Sequence, residues 1–248
     1  MSGHSKWAQI KHRKAAVDSK RGKLFSKLIK EITVLARIGG PDTEMNPRLR
    51  SAVLAAKSSN VPNDTIEKAI LRGTGELEGV AYEEVTYEGY GPGGIAIIIE
   101  VLTDNKNRAV ADVRHILSKN GGSIGERGCV SWLFDKRGLI IVEKESIDED
   151  ELFMVALESG ADDLTTSDDH IEIISSMENF DRSRTAIEES AATILTAELS
   201  MIPQNTVKLE GKEAERMLRL MEALEEHDDV QKVHANFDIP DEILETAA

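Results

Sequence analysis

Residues 95–102 read IAIIIEVL, an apolar run rich in β-branched side chains and interrupted only by Glu100. Such a run between turn residues predicts a buried β-strand. Just before it, residues 89–94 read GYGPGG and predict a turn, and residues 84–88 predict a strand on the far side of that turn. No helix follows the glycines, so we interpret them as a hairpin turn and not as a nucleotide-binding loop.

The chain after this hairpin predicts a helix and then a further strand. The helix is expected from about Asn107 to Lys119, where Asn120-Gly121-Gly122 ends it. Residues 129–134 are largely apolar and predict a strand, followed by a polar turn at residues 135–138. The segment 104–108, DNKNR, is interpreted first as the N-terminal cap of the helix and second as a binding surface.

Residues 139–204 predict the order strand, helix, strand, strand, helix, strand, which is that of a ferredoxin-like α+β unit. The predicted pieces are Leu139–Val142, Asp148–Ser159, Asp163–Thr166, Ile171–Ser175, Glu178–Ala192 and Ala197–Ile202. A strand, a helix and a strand then follow at Thr206–Leu209, Gly211–Glu226 and Val230–Phe237. Residues 80–137 alone predict too few strands and helices for a complete sheet. The strand, helix and strand after residue 204 supply the missing elements, so we expect a middle domain built from two separate stretches of the chain.

The first 75 residues predict three helices. At about 100° per residue, the apolar and the basic side chains of the first helix fall on opposite arcs. The apolar arc holds Leu24, Phe25, Leu28, Ile29, Ile32 and Leu35, and the basic arc holds Lys20, Lys23, Lys27, Lys30 and Arg37. Asn46-Pro47 predicts the start of a second helix ending near Ser58, and a third is expected from Pro62 to Gly73.

The expected fold is therefore α+β and multidomain: an N-terminal helical bundle followed by two α+β domains, the last one ferredoxin-like and inserted into the middle one. We expect a basic helical domain at residues 1–78, a discontinuous middle domain at 79–137 plus 205–248, and an acidic inserted domain at 138–204.

Charge is distributed very unevenly along the chain. The whole protein carries a formal net charge of −15, which would argue against a polyanionic partner. By segment, however, residues 1–75 hold 15 basic and 6 acidic residues, and residues 76–248 hold 15 and 39. Residues 138–204 hold 17 acidic and 3 basic residues. Such asymmetry predicts a nucleic-acid partner that meets the N-terminal part only.

The candidate nucleic-acid-binding residues lie in this basic part. Lys and Arg neutralise phosphates, and an aromatic ring can stack on a base. The candidates are Lys6, Trp7, Lys11, Arg13, Lys14, Lys20, Arg21, Lys23, Lys27 and Lys30, with Arg48 and Arg50 if the second helix shares that face. The alternative is a solvated, charged helix face.

Other features predict neither catalysis nor a cofactor. Cys129 is the single cysteine, and its apolar neighbours favour a small buried hydrophobe over a nucleophile. The Asp168-Asp169-His170 segment is interpreted as a turn, and no Cys/His cluster has zinc-ligand spacing. We therefore expect no metal, no cofactor and no small-molecule substrate.

The sequence also predicts the compartment. The first residues are polar, and no apolar run is long enough to span a bilayer, so we expect a cytoplasmic protein with no membrane partner. The oligomeric state is left open, and a monomer is compatible with the sequence.

Three long motifs carry a resemblance to a known family. They are GHSKWAQIKHRKAAVDSKRGKLFSKLIKEI, YEGYGPGGIAIIIEVLTDNKNRAVADVRHILSKNGGSIG, and AELSMIPQNTVKLEG with DDVQKVHANFDIP. In these stretches the chain closely resembles the YebC/PmpR family, which includes the mitochondrial translational activator of cytochrome oxidase. The resemblance spans essentially the whole chain and implies a helical N-terminal domain with two α+β domains.

The resemblance also implies function. Members are commonly described as cytoplasmic DNA-binding transcriptional regulators, and others as translation factors that act on the ribosome, including at proline-rich stalls. We therefore expect a non-enzymatic nucleic-acid-binding regulator of gene expression that binds DNA through its basic N-terminal domain. The alternative is a translation factor that binds ribosomal RNA, and an enzyme using Cys129 or the Asp168 turn comes a distant third.

Overall fold

The computed structural model describes residues 18–167, 169–240 and Ile243. These residues form a mixed α+β, multidomain structure, as the sequence predicts. Three helices come first, followed by two four-stranded antiparallel sheets with their own helices. None of the helices among these residues is long and apolar enough to cross a bilayer.

The three N-terminal helices pack around one apolar core. They are α1 (Asp18–Gly39), α2 (Pro47–Ser58) and α3 (Asn63–Thr74). The buried face of α1 carries Leu28, Ile32 and Leu35, which contact apolar residues of the other two helices. Asn46 caps α2 by accepting a hydrogen bond from the Leu49 amide at 3.1 Å, as its position before Pro47 predicts.

The first sheet brings together two distant parts of the chain. Its strands are β1 (Glu83–Tyr90), β2 (Ala96–Thr103), β3 (Ser123–Ile124) and β9 (Val230–Ala235), in the order β3-β1-β2-β9. Strand β2 pairs with β1 on one side and with β9 on the other, where Ile97 lies opposite Ala235. Two helices, α4 (Lys106–Lys119) and α7 (Gly211–Glu225), contribute to the apolar core beside this sheet.

The second sheet is formed by the chain between those two parts. It contains β4 (Phe134–Glu143), β5 (Ala161–Thr166), β6 (His170–Ser175) and β7 (Ile194–Pro203) in the order β5-β6-β4-β7. Its helices are α5 (Glu149–Ser159) and α6 (Phe180–Glu188), which share an apolar core with Ile140 and Ile173. This strand order and the alternation of elements are ferredoxin-like. The exact domain bounds given above stay a prediction.

Two elements predicted around residue 134 are wrong. Residues 129–134 do not form a strand: Ser131–Leu133 is a short 3-10 turn, and β4 starts at Phe134. Residues 135–138 are not a turn, because they continue β4 and pair with β7 from Asp135↔Ile202 to Gly138↔Leu199. A polar DKRG stretch resembles a turn locally, but pairing with the ten-residue strand β7 overrides that local preference.

Several predicted ends also shift. Helix α6 is shorter than the predicted 178–192, and β7 begins three residues before Ala197. The predicted strand at 206–209 contributes only β8 (Val207–Lys208), which pairs in parallel with β10 (Phe237–Asp238). The strand predicted to run from Val230 to Phe237 is therefore divided into β9 and β10.

A small apolar cluster joins the two sheets. Ala96 and Ile98 of β2 lie with Val130 and Phe134 on the face of the first sheet opposite its large core. Met201 of β7 packs against the same cluster. Strand β2 is thus buried on both faces, which explains why its sequence does not alternate with polar residues.

The crossing of α1 and α3 generates a prediction about packing. A Cβ atom at Gly73 would meet the Thr33 carbonyl oxygen and lie 2.8 Å from the Ala36 Cβ. We therefore expect Gly73→Ala to lower the free energy of unfolding by about 1 to 3 kcal/mol, the usual cost of overpacking. Urea unfolding followed by circular dichroism measures this.

Gly22→Ala is the matched control, because it adds the same methyl group to α1 where nothing lies within 4 Å. Alanine is the better helix former, so this variant should gain about 0.5 to 1 kcal/mol. If both variants had the same stability, close approach of α1 and α3 at Gly73 would not be the constraint.

Candidate nucleic-acid interface

The described residues include only part of the predicted interface. Lys6, Trp7, Lys11, Arg13 and Lys14 lie outside them. Lys20 and Arg21 belong to α1. The remaining five, Lys23, Lys27, Lys30, Arg48 and Arg50, all make hydrogen bonds within the protein.

The lysines of α1 contact the C-terminal end of α7. Lys23 Nζ donates to the Glu226 carbonyl oxygen at 3.1 Å, and Lys27 Nζ donates to that of Glu225 at 2.6 Å. Lys30 Nζ donates to the Asp228 carbonyl oxygen at 3.0 Å. The last carbonyls of a helix lack partners within it and carry partial negative charge. The basic face of α1 therefore docks the helical bundle onto the first sheet's domain.

Asp229 is the acidic centre of this contact. Its side chain is 7% exposed and accepts from Lys30 Nζ at 2.9 Å, Thr103 Oγ1 at 2.9 Å and Arg108 Nη2 at 2.7 Å. Burial by itself raises the pKa of Asp229, but the hydrogen bonds from Arg108, Lys30 and Thr103 outweigh it and lower the pKa to about 2. The carboxylate is therefore ionised throughout the physiological range.

Further basic side chains hold the helical bundle to the same domain. Arg37 donates to the Tyr82 carbonyl oxygen, and Arg48 pairs with Glu84 of β1 at 3.1 Å. The Lys30 ammonium also lies 5.4 Å from the centre of the Tyr82 ring. Arg50, by contrast, donates to the Thr43 carbonyl oxygen in the loop before α2 at 3.2 Å.

The cleft between α1, α4 and the end of α7 has walls of both charges. Three cations and five acidic residues line it: Lys23, Lys30 and Arg108, and Asp104, Asp112, Glu226, Asp228 and Asp229. An anionic ligand entering this cleft would meet more acidic than basic residues. The lysines thus serve docking in this arrangement, and part of their hydrogen-bonding capacity is used before any phosphate arrives.

A second polar contact joins β7 to β9 and so links the two sheets. Lys232 Nζ donates to Glu198 Oε2 at 2.6 Å, and His234 lies 3.3 Å from Ser200 Oγ through its Nδ1. The Nε2 of His234 lies 3.3 Å from Glu100 Oε1 of β2.

Burial raises the pKa of Glu31 on α1, and the charge of Lys232 opposes this rise. The helical bundle therefore lies close to this junction.

The other candidate segments have structural roles in this arrangement. Asn105 caps α4 by accepting from the Arg108 amide at 3.1 Å, as the first interpretation of DNKNR predicts. The Cys129 carbonyl oxygen accepts hydrogen bonds from two aromatic side chains. His170 Nδ1 lies 2.6 Å from Asp169 Oδ1, and Asp168 lies outside the described residues.

Sequence reasoning missed Asp229 and Arg108 as partners of the α1 lysines. Asp229 stands in an acidic run with Glu225, Glu226 and Asp228, which looks like a solvated surface. The available signal was the position of this run, because it directly follows a predicted helix and precedes a predicted strand. A cation partner is favourable at that helix end.

Comparison with known proteins agrees with this architecture over the full chain. Residues 5–76 match the family description "TACO1/YebC protein N-terminal domain", and residues 82–237 match "TACO1/YebC second and third domain". A relative from Dictyoglomus turgidum is 59% identical over 99% of both chains, and one from Desulforapulum autotrophicum is 60% identical over 99% of both. Both are named "Probable transcriptional regulatory protein".

A solved structure shows the same fold. The crystal structure of a conserved hypothetical protein from Aquifex aeolicus superposes with a TM-score of 0.86 at 47% identity, covering 95% of this chain and 97% of that one. The fold and the docked basic helix define a multidomain α+β protein with a cationic N-terminal bundle. The chain belongs to the TACO1/YebC family.

The docking contact predicts a pH dependence. A carboxyl whose folded pKa is lowered stabilises the protein above its unfolded pKa, and this stability is lost as pH falls toward the folded value. The lowering of the Asp229 pKa from 3.8 to about 2 corresponds to about 2 kcal/mol at pH 7. We expect that contribution to disappear between about pH 4 and pH 2.

Asp229→Asn tests this by removing the charge. The variant should be about 2 kcal/mol less stable at pH 7 and lose that difference from wild type as the pH approaches 2. Thermal unfolding across this pH range measures it. Asp104→Asn is the control, because Asp104 pairs with the same Arg108 but is 40% exposed, and exposed pairs contribute little. Equal losses for both variants would contradict the assignment.

Proposed function

We propose that this protein is a non-enzymatic, nucleic-acid-binding regulator of gene expression that binds DNA through its basic N-terminal domain. The observation that carries the proposal is the charge separation, with 15 basic and 6 acidic residues before residue 76 and 15 and 39 after it. The N-terminal part carries a net positive charge and is therefore best suited to neutralise phosphates. The regulatory names of its relatives support the same function.

The hydrogen bonds of α1 favour a division of labour within the basic residues. Lys23, Lys27 and Lys30 already neutralise the end of α7 and Asp229. We propose that phosphates first meet the cations that precede these lysines, because they form the densest basic run of the chain: Lys6, Lys11, Arg13, Lys14, Lys20 and Arg21, with Trp7 among them. Lys23, Lys27, Lys30, Arg48 and Arg50 would then extend the interface as secondary contacts, because part of their hydrogen-bonding capacity is used within the protein.

A translation factor that binds ribosomal RNA is the second candidate. The composition of α1 favours it, because Lys23, Lys27 and Lys30 are lysines. Lysine is a compact point charge suited to phosphates, whereas bidentate reading of base edges favours arginine. A lysine-rich face thus suits folded RNA recognised by shape as well as it suits duplex DNA.

The salt dependence of binding tests the proposed interface. We expect Lys11→Gln with Lys14→Gln to weaken binding of the full chain to duplex DNA or structured RNA. On duplex DNA, the slope of log K against log salt should become shallower by about 0.9 for each phosphate that the variant no longer neutralises. Fluorescence anisotropy at several salt concentrations gives both quantities.

Lys57→Gln with Lys68→Gln is the matched control. It removes the same charge from exposed positions on α2 and α3 of the same bundle. This control should leave the slope nearly unchanged if contacts are local to the N-terminal segment. If the control pair weakened binding as much as the Lys11 and Lys14 pair, general electrostatic attraction would replace the proposed interface.

Competition binding at physiological salt separates the two candidates. A DNA site bound more than about a thousandfold tighter than random duplex supports a transcriptional regulator. Co-sedimentation with ribosomes, abolished in the Lys11 and Lys14 variant, supports the translation factor. Charge reversal at Lys23 or Lys27 is unsuitable here, because it would also disrupt docking against α7.

A further inference from the structure

Two exposed aromatic side chains lie side by side near the junction of the two sheets. Trp132 is 67% exposed and Tyr90 is 39% exposed. Trp132 Nε1 donates to the Cys129 carbonyl oxygen at 3.1 Å, and Tyr90 Oη donates to the same oxygen at 3.3 Å. Because both polar atoms donate to one acceptor, the two side chains are neighbours, and we call this pair the aromatic platform.

The backbone beneath the aromatic platform is held by a buried carboxylate. Glu88 is 6% exposed and accepts hydrogen bonds from the amides of Gly128, Val130 and Ser131 at 2.7, 2.9 and 2.8 Å. Burial by itself raises the pKa of Glu88, but these amide hydrogen bonds outweigh it and lower the pKa. The loop that presents Trp132 is therefore ordered before any ligand arrives, which reduces the entropy cost of binding.

The exposure of Trp132 contrasts with its neighbours. Val130 is fully buried and Phe134 is 5% exposed, both in the apolar cluster between the sheets. A tryptophan ring turned into that cluster would be stabilised by burial. Instead, its only polar atom is satisfied within the protein and its ring faces solvent, in a chain with only 4% aromatic residues. This arrangement is typical of a surface that stacks on a planar ligand.

The charge of the chain segment that carries Trp132 indicates which planar ligand. Residues 76–248 hold 39 acidic and 15 basic residues, yet residues 119–137 hold four basic and two acidic ones. The basic residues are Lys119, Arg127, Lys136 and Arg137, of which Arg137 pairs with Asp162 at 3.1 Å and with Asp135 at 3.9 Å. A planar group joined to phosphates fits an exposed ring with cations in the adjacent chain. A single-stranded nucleic acid has this chemistry.

We propose that Trp132 and Tyr90 form a stacking site for an unpaired nucleobase, separate from the phosphate contacts of the N-terminal segment. The proposal rests on the proposed function, since it names what the nucleic acid offers to this second site. A base in a duplex has its faces covered by its neighbours, so the site selects single strands, loops or flipped bases.

Tryptophan fluorescence tests the site directly. The chain has two tryptophans, so in a Trp7→Phe background the signal reports on Trp132. The probe is a short oligouridylate, with a duplex of equal length for comparison. We expect the single strand to quench the emission. Trp132→Ala should weaken single-strand binding about 5- to 150-fold, the range expected for removing one stacked base.

Two variants control for other effects of the substitution. Trp132→Phe keeps an aromatic face and should retain most of the affinity, whereas a merely structural role for the indole hydrogen bond predicts a loss. Phe153→Ala removes another aromatic side chain, 49% exposed on α5, and should leave the affinity unchanged. Circular dichroism verifies that each variant is folded.

Three results would overturn the proposal. Single-strand binding that neither quenches Trp132 nor depends on it removes the stacking site while leaving the proposed function intact. Absence of binding to either probe removes both. Loss of ribosome co-sedimentation in Trp132→Ala with unchanged oligouridylate affinity means that the aromatic platform serves a ribosome contact other than stacking on an unpaired base.

Discussion

The ladder between β2 and β9 is the interaction on which the rest of the structure depends. It joins Ala96–Thr103 to Val230–Ala235, and the whole second sheet is formed by the chain between them. Because β2 also pairs with β1 and is covered on both faces, it connects the large core to the apolar cluster at the junction. The end of α7, which precedes β9, is thereby fixed where the α1 lysines meet it.

Docking and binding make competing demands on the same lysines. An ammonium group that donates to the carbonyls following α7 has fewer N–H groups left for phosphate, and Asp229 lies close enough to repel an approaching anion. The net basic charge of the helical bundle therefore overstates its capacity to bind the phosphates of a partner. A count of charges by segment captures the long-range attraction, whereas the hydrogen bonds determine which cations remain for contact.

Much of the fold was predictable because it rests on local periodicity. The apolar run at 95–102 and the two faces of α1 predict their elements correctly, and the order of elements in 139–204 predicts the ferredoxin-like sheet. Partners distant in the chain were not predictable. The positive charge of Lys27 is evident from the sequence, but the carbonyl oxygen that accepts its hydrogen bond belongs to Glu225, 198 residues away. The sequence predicts that Trp132 lies in a buried strand. Its own segment does not show that the Glu88 carboxylate accepts hydrogen bonds from the neighbouring backbone amides, such as that of Ser131.

The discontinuous sheet also determines the order in which the molecule can assemble as it is synthesised. Strands β4 to β7 are contiguous and can pair as soon as they emerge, whereas β2 must wait for β9 to complete its second edge. Until then, one side of an unusually apolar strand has unpaired backbone groups, a state prone to wrong pairing with other chains. Because β9 spans Val230–Ala235, this edge stays open until almost the whole chain has been synthesised.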